Sequence, residues 1–382
     1  MRYCLQRYKG IGYSATYGID LALSSPIFDK TAMRMLKKIF VILFFLLMLL
    51  SCTYNPSFHN DGNGIYYWRT TLSLNDAERK FLKKHNVTRM YIKFFDVGED
   101  FGASDARIIP KATIQFKDSL PTEIEIVPTI YITTSAMEAM QLKEEEYAEK
   151  IFRRIHAICR RNGIEFKELQ LDCDWTKSTR KYFFKLCEEV KQCMDSTQTL
   201  SSTIRLHQLT QSPPPVDKGV LMVYNTGNLM KMTTANSIFS RRDIEPYLMD
   251  NRLENYALPL DVAYPAYGWS VMFHPGKDKF YFNRIMRQTD FSSYSGLKQI
   301  DKNMFEATED INLNPENDTW NGVYKGCRIR LERPTAREIL EIKGMIEKRL
   351  KDKSHRNILY HLDESQLSHY SDNEIDKIYS LN

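Results

Sequence analysis

The chain predicts an α/β fold: a (β/α)8 barrel of the TIM type with an insertion between strands 7 and 8. Three observations predict it. From residue 64 onward, eight short segments rich in β-branched and aromatic residues recur, most of them separated by stretches with helical periodicity. The segment Leu169-Gln170-Leu171-Asp172-Cys173-Asp174-Trp175-Thr176 reads as a buried strand that ends in two carboxylates and an indole. Barrels of this kind gather their chemistry at the C-terminal ends of such strands. The chain beyond residue 51, about 330 residues, is long enough for one large barrel.

The elements follow in order. Residues 65–69 read as strand one. Residues 75–85 read as a helix, with acids early and lysines late, as the helix dipole prefers. Residues 89–95 form strand two, and 97–121 show no clean periodicity. Residues 125–132 form strand three. The helix over 144–161 buries Tyr147, Ile151, Ile155 and Ile158, and Asn162-Gly163 supplies a left-handed stop. Strand four is 168–172, followed by a helix over about 178–194. Strands five and six are 200–206 and 220–224. A short helix over 242–248 tolerates Pro246 only near its first turn. Strand seven is 258–264. The insertion, roughly 270–333, carries strand-like pieces at 279–282 and 323–331. A helix over 336–350, strand eight at 358–362 and a last helical turn over 373–379 complete the chain.

The N-terminus has a different character. Met35-Leu36-Lys37-Lys38 is a basic start, and residues 39–50 are an unbroken apolar run, too short to span a bilayer. The run ends in Leu49-Leu50-Ser51-Cys52, which resembles the lipobox of bacterial lipoproteins. That resemblance implies lipidation of Cys52 and an initiation codon at Met33 or Met35. The expected organisation is an N-terminal extension and lipoprotein signal peptide over 1–51, a tether rich in Asn, Gly and Pro over 52–63, and the barrel over 64–382. Thr53, rather than Asp, follows the Cys, which by the same resemblance implies an outer-membrane lipoprotein of the cell envelope. Without residues 1–51, the chain has 46 basic and 46 acidic residues and is formally neutral. The basic charge belongs to the leader, so no nucleic-acid partner is expected. The remaining cysteines, Cys159, Cys173, Cys187, Cys193 and Cys327, are odd in number and lack C-x-x-C spacing. They indicate neither a zinc site nor a disulfide framework, and no cofactor or metal is expected.

Chemically able residues fall at the predicted strand ends: Trp68, Lys93, Asp96, Asp172, Asp174, Trp175, Arg205, His207, Tyr224, Asn225, Tyr267, Trp269, His361 and Asp363. Asp172 and Asp174 alternate onto one face of strand four, so repulsion should raise one pKa. Arg205 and His207 share a face in the same way. Arg205 suits a carboxylate or an anionic group, and His207 suits acid or base work. Trp68, Trp175 and Trp269 offer flat faces for pyranose rings, and Tyr224 and Tyr267 add hydroxyls. Tyr264 and Trp320 are read as core packing, and a salt bridge is the first reading for Lys93.

Three of these segments resemble the chitinase-like glycoside hydrolases of family eighteen. That family carries D-x-D-x-E on strand four; Asp172, Asp174 and Trp175 fit, but Thr176 stands where the Glu acid belongs. Met222-Val223-Tyr224-Asn225 follows M-x-Y-D with Asn in place of Asp, and Pro265-Ala266-Tyr267-Gly268 follows P-x-Y-G. His361 stands where strand eight of the family ends in Trp. The same features resemble lipoproteins of gut Bacteroidetes. The resemblance implies a site for a glycan or oligosaccharide in which the family's acid is missing, because Thr176 cannot give up a proton at neutral pH and suits the N-cap of the next helix. The expected function is a lipid-anchored envelope protein that binds or processes glycans. Two alternatives stand beside it. One is an active glycosidase using Asp174 with Asp96 or Asp363, since such enzymes need two carboxyl groups flanking the bond. The other is a structural or protein-binding lipoprotein with its groove closed by the insertion.

Overall fold

The computed structural model describes residues 62–100, 102, 107–287, 291, 294–313, 322–350 and 354–381. The expected signal segment, Cys52, most of the tether and Trp320 lie outside the described residues.

Eight parallel strands close into a barrel: β1 (Asn63–Tyr67), β2 (Val87–Asp100), β3 (Glu125–Ile132), β4 (Glu168–Cys173), β5 (Thr199–Arg205), β6 (Lys218–Met222), β7 (Leu260–Pro265) and β8 (Asn357–Tyr360). Each pairs with its sequence neighbours, and β8 returns to β1 through Gly64↔Ile358 and Ile65↔Leu359. Closure leaves the eight-stranded ring without a free edge. Both faces of the strands are covered, so β4 and β7 are buried at every residue, the polar Glu168, Gln170, Asp172 and Asp261 included.

Inside the barrel, Tyr66 stacks on Tyr91 at 4.9 Å and donates from its hydroxyl to Gln170 Oε1 at 2.7 Å. At the N-terminal end, charged side chains plug the opening. Arg89 meets Glu168 at 2.8 Å and Glu125 at 2.5 Å, and Lys218 meets Asp261 at 2.6 Å. A ring of paired charges of this kind at the bottom of a barrel serves stability and leaves the top for chemistry.

The outer layer contains α1 (Asp76–Lys84), α2 (Thr134–Ala139), α3 (Glu144–Asn162), α4 (Arg180–Cys193), α5 (Arg241–Ile244), α6 (Ala336–Glu347), α7 (Glu364–Leu367) and α8 (Asp372–Tyr379). Capping boxes start α1 (Asn75 with Glu78), α6 (Thr335 with Glu338) and α8 (Ser371 with Glu374). Gly163, with φ of 62°, ends α3. Between β5 and β6 the described chain makes only one 3-10 turn, Leu206–Thr210.

Besides the short helices α2 and α7, which the sequence reading lacks, two stretches differ from it. The region 97–121 is not irregular throughout, because β2 runs on to Asp100 and pairs antiparallel with Arg107–Lys111. The insertion is more regular than two strand fragments. Trp269–Pro275, Phe280–Arg287, Leu297–Asp301, Met304–Ala307 and Arg328–Glu332 form a five-stranded antiparallel sheet with its own apolar cluster around Met272, Phe291, Phe305 and Ile329. All five cysteines beyond residue 61 are free, and burial pushes the Cys159 thiol up to about 12. That keeps it protonated and inert.

Candidate functional site at the barrel mouth

The C-terminal ends of β4 and β5 carry the centre of the site. Asp172 is buried, and Thr203 Oγ1 donates to its Oδ1 at 2.6 Å. Arg205 reaches both carboxylates: Nη2 donates to Asp172 Oδ1 at 3.1 Å, and Nε donates to Asp174 Oδ1. The Asp174 side chain is half exposed. The Asp172 carboxyl is held above the ordinary carboxylate range, chiefly by burial, with Asp174 and Asp96 adding repulsion and Arg205 and Thr203 opposing it. Loss of water, rather than the repulsion that the spacing on strand four predicts, is the larger cause. Burial also works against the Arg205 charge, but the two carboxylates outweigh it and hold the guanidinium above its usual value.

Beside this triad a cavity of about 380 Å3 opens, lined by Asp174, Arg205, Leu206, His207, Met222, Tyr224, Asn225, Thr226 and Tyr247. Asn225 sits just past β6 in the left-handed region, at φ of 55°, which Asn tolerates better than most residues. The Tyr267 hydroxyl donates to Asn225 Oδ1 at 2.6 Å, leaving the amide nitrogen as that side chain's donor group. His207 is exposed on the 3-10 turn after β5.

An aromatic cluster centres on Tyr360, the last residue of β8. Its ring lies 4.8 Å from Tyr224, 5.5 Å from Tyr267, and 5.7 Å from both Tyr66 and Trp68. Tyr267 in turn meets Trp269 edge-on at 5.6 Å. On the β1–β2 side, Lys93 lies 5.6 Å over the Trp68 ring and pairs with Asp96 at 3.0 Å, as its first reading anticipated.

The structure thus brings Asp172, Asp174, Arg205, His207, Tyr224, Asn225, Tyr267, Trp269, Trp68 and Lys93 to one mouth. Three expectations change. Trp175 is fully buried beneath α4, against Phe183 and Phe184 at 6.5 and 5.4 Å, so its face is unavailable to a sugar. The regular β4 pairing ends at Cys173, and the turn that follows directs the indole inward. Asp363 is taken up as the cap of α7, its Oδ1 accepting from Ser365 N at 2.9 Å. Burial would raise its pKa, but Ser365, His361, Arg287 and Arg69 together lower it. Thr176 is not an N-cap: Thr179 holds that position, and the Thr176 hydroxyl bonds Ser178 and Thr179. His361 is partly buried beside Tyr267 and Tyr360, and burial, aided by Arg69, pushes its imidazole down to about 4 against the pull of Asp363.

Tyr360, Tyr131, Thr226 and Tyr247 were missed. Tyr131 pairs in register with Asp172, and its hydroxyl is raised by burial and then by Asp172 and Asp174. Period-two alternation gave a signal for Tyr360 and His361 alike, but not which of them faces inward.

A scan against models of known protein families finds no match, and neither does a search of curated proteins. Solved structures do match. The spore cortex-lytic enzyme SleL of Bacillus megaterium shares 11% identity over 84% of this chain and 75% of that one, with a TM-score of 0.50. A chitinase from Chromobacterium violaceum shares 10% identity over 81% and 97%, at 0.49. A class V chitinase from Nicotiana tobaccum shares 11% over 83% and 97%, at 0.47. Such identities speak for the fold alone: this chain is a (β/α)8 barrel that shares its architecture with SleL.

Proposed function

We propose that the protein is a lipid-anchored envelope protein whose barrel mouth binds a glycan, without the acid catalysis of the family eighteen glycosidases it resembles. The observation that carries this reading is the Asp172–Arg205–Asp174 triad at the edge of an open cavity walled by Tyr224, Asn225, His207 and Tyr247. Fixed acceptors, amide and hydroxyl donors, and ring edges around an open space match the hydroxyl-rich yet partly apolar surface of a saccharide. Asp174, the more exposed carboxylate, is tied to Arg205, and the position of the family acid holds Thr176. Thr176 has no acidic proton to give a leaving oxygen, and the Asp174 carboxylate is engaged by the guanidinium. The raised Asp172 carboxyl favours a second reading, a glycosidase with an unusual acid, but it is buried and already bonded to Thr203 and Arg205.

A glycan array probed with the protein lacking residues 1–51 tests the binding reading. Retention of N-acetylglucosamine oligosaccharides, weakened at least tenfold by Arg205→Ala, supports it; no retention on any glycan rejects it. Release of reducing sugar that Asp174→Asn abolishes would replace binding by hydrolysis. The anchor is tested by metabolic labelling with a radioactive fatty acid: label on the wild type and none on Cys52→Ser is expected, and an unlabelled wild type removes lipidation. Fractionation of the labelled membranes then distinguishes outer from inner membrane.

A further inference from the structure

A buried ion pair within the insertion sheet, bonded to the loop that follows β6, is not used by the site described above. Arg330 and Glu332 lie on the strand Arg328–Glu332, both side chains wholly removed from solvent, with Nε to Oε1 at 2.5 Å. Arg330 Nη1 donates to the carbonyls of Lys231 and Met232 at 2.7 and 2.9 Å, and Nη2 to that of Leu229 at 3.4 Å. Its guanidinium lies 5.0 Å from the Phe273 ring. Glu332 Oε2 accepts from Ser237 N at 3.0 Å, Ser237 Oγ at 2.5 Å and Trp269 Nε1 at 2.7 Å.

The loop that this pair holds carries part of the cavity wall. Residues 225–238 close on themselves, with Asn225 N donating to Ile238 O at 2.6 Å and Gly227 N to Ser237 O at 3.1 Å. The carbonyls that the guanidinium ties down lie within that loop. Asn225 and Thr226 at its start line the cavity, while Trp269 meets Tyr267, the residue that orients the Asn225 amide. A buried pair of this kind adds little net stability over an apolar replacement, so its use is better sought in the conformation it specifies.

We propose that Arg330 and Glu332 are positioning residues for the cavity: they set the 225–238 loop, and with it Asn225 and Thr226, and they fix the indole of Trp269 against Tyr267. Neither side chain lines the cavity, so both act through the groups they hold. The ligand in this inference rests on the saccharide reading, whereas the positioning rests on geometry alone.

The test is Glu332→Gln in the same chain, which keeps the shape of the side chain and removes the charge. The first readout is the indole N–H resonance of Trp269 in protein carrying 15N-tryptophan, assigned by its loss in Trp269→Phe. The second is amide hydrogen exchange at Asn225 and Gly227. The third is affinity for the oligosaccharide that the wild type retains. Expected are an upfield shift of the indole resonance, exchange at least tenfold faster at both amides, and affinity weaker by about tenfold, the scale of one charged hydrogen bond. An unmoved resonance with unchanged exchange overturns the proposal. If Glu332→Gln does not fold, Arg330→Lys keeps the charge but not the three carbonyl contacts, and faster exchange at Gly227 is then the expected result and unchanged exchange the contrary one. A wild type that retains no glycan ends the saccharide reading, but the resonance and exchange still decide the positioning.

Discussion

Asp172 shows how one side chain takes its properties from several elements. Its place near the end of β4 follows from local pattern, but its raised carboxyl comes from burial that only the closed barrel provides. Thr203, one strand over, supplies a bond at 2.6 Å that favours the charged form. Thr203→Val should therefore cost about 1.5–3 kcal/mol of stability at pH 7, the usual worth of a hydrogen bond to a charged group, and raise the Asp172 pKa further. Urea denaturation and a carboxyl titration by carbon NMR check both; an unchanged or lower Asp172 pKa would contradict the account. The sign of the pH effect also follows. A carboxyl raised in the folded state favours folding in acid and costs stability as pH rises through the window above its ordinary value of 3.8. Spacing on β4 made the Asp172–Asp174 pair legible, and the partner Arg205 was named from its strand-end position. That Trp175 turns inward while Tyr360 turns to the mouth was not legible, because neither orientation follows from period-two alternation once a strand ends.

At the scale of elements, the eight barrel strands and the long helices were legible, while the short helices Thr134–Ala139 and Glu364–Leu367 were not. The stripe read for α3 proved close: Ile151 and Ile155 are buried with Ala148 and Cys159, and Tyr147 and Ile158 pack beside them. Its end at Gly163 in the left-handed region provides a clean test, because a Cβ there meets nothing within 4 Å. Gly163→Ala should cost about 1 kcal/mol from backbone conformation alone; no loss on thermal unfolding would show that the turn relaxes freely. Thr335→Ala removes the α6 cap, whose oxygen accepts from Glu338 N at 3.3 Å. It should cost about 1 kcal/mol, with Thr335→Ser restoring most of it; equal stability of the Ala and Ser variants would count against capping as the cause. The hairpin of β2 with Arg107–Lys111 and the five-stranded insertion were less legible. Sheet pairing joins residues far apart in sequence, and the Phe280–Arg287 strand alternates between half-buried and exposed positions with no apolar contrast to announce it.

For the molecule as a whole, acid stability should fall in two stages set by groups in different parts of the barrel. His361 titrates at about 4 in the fold against an ordinary 6.5, so between these values the unfolded chain binds a proton that the folded chain refuses. Stability from this group falls as pH drops through that window, by up to about 3 kcal/mol. Glu347 is brought down to about 2: burial pushes it up, but His355, Lys343 and Asn357 outweigh that. Its contribution is present above its ordinary 4.5 and is lost as pH falls toward 2. From pH 7 to pH 5 the urea midpoint of the wild type should fall more than that of His361→Gln, which has no group to titrate there. A difference between the two proteins that stays constant over that range would remove His361 from the account.

The sequence by itself determined the alternation of strands and helices, the extent of the longer helices to within a few residues, and the identity of most groups at the strand ends. These depend on periodicity and on neighbours a few residues apart, so they are written locally. Only the tertiary structure decided which of those groups share a cavity, which are consumed as caps or core, and what burial does to their charges. Closure of the ring sets the inward phase of each strand, and loss of water depends on every element packed around a residue rather than on its neighbours in the chain.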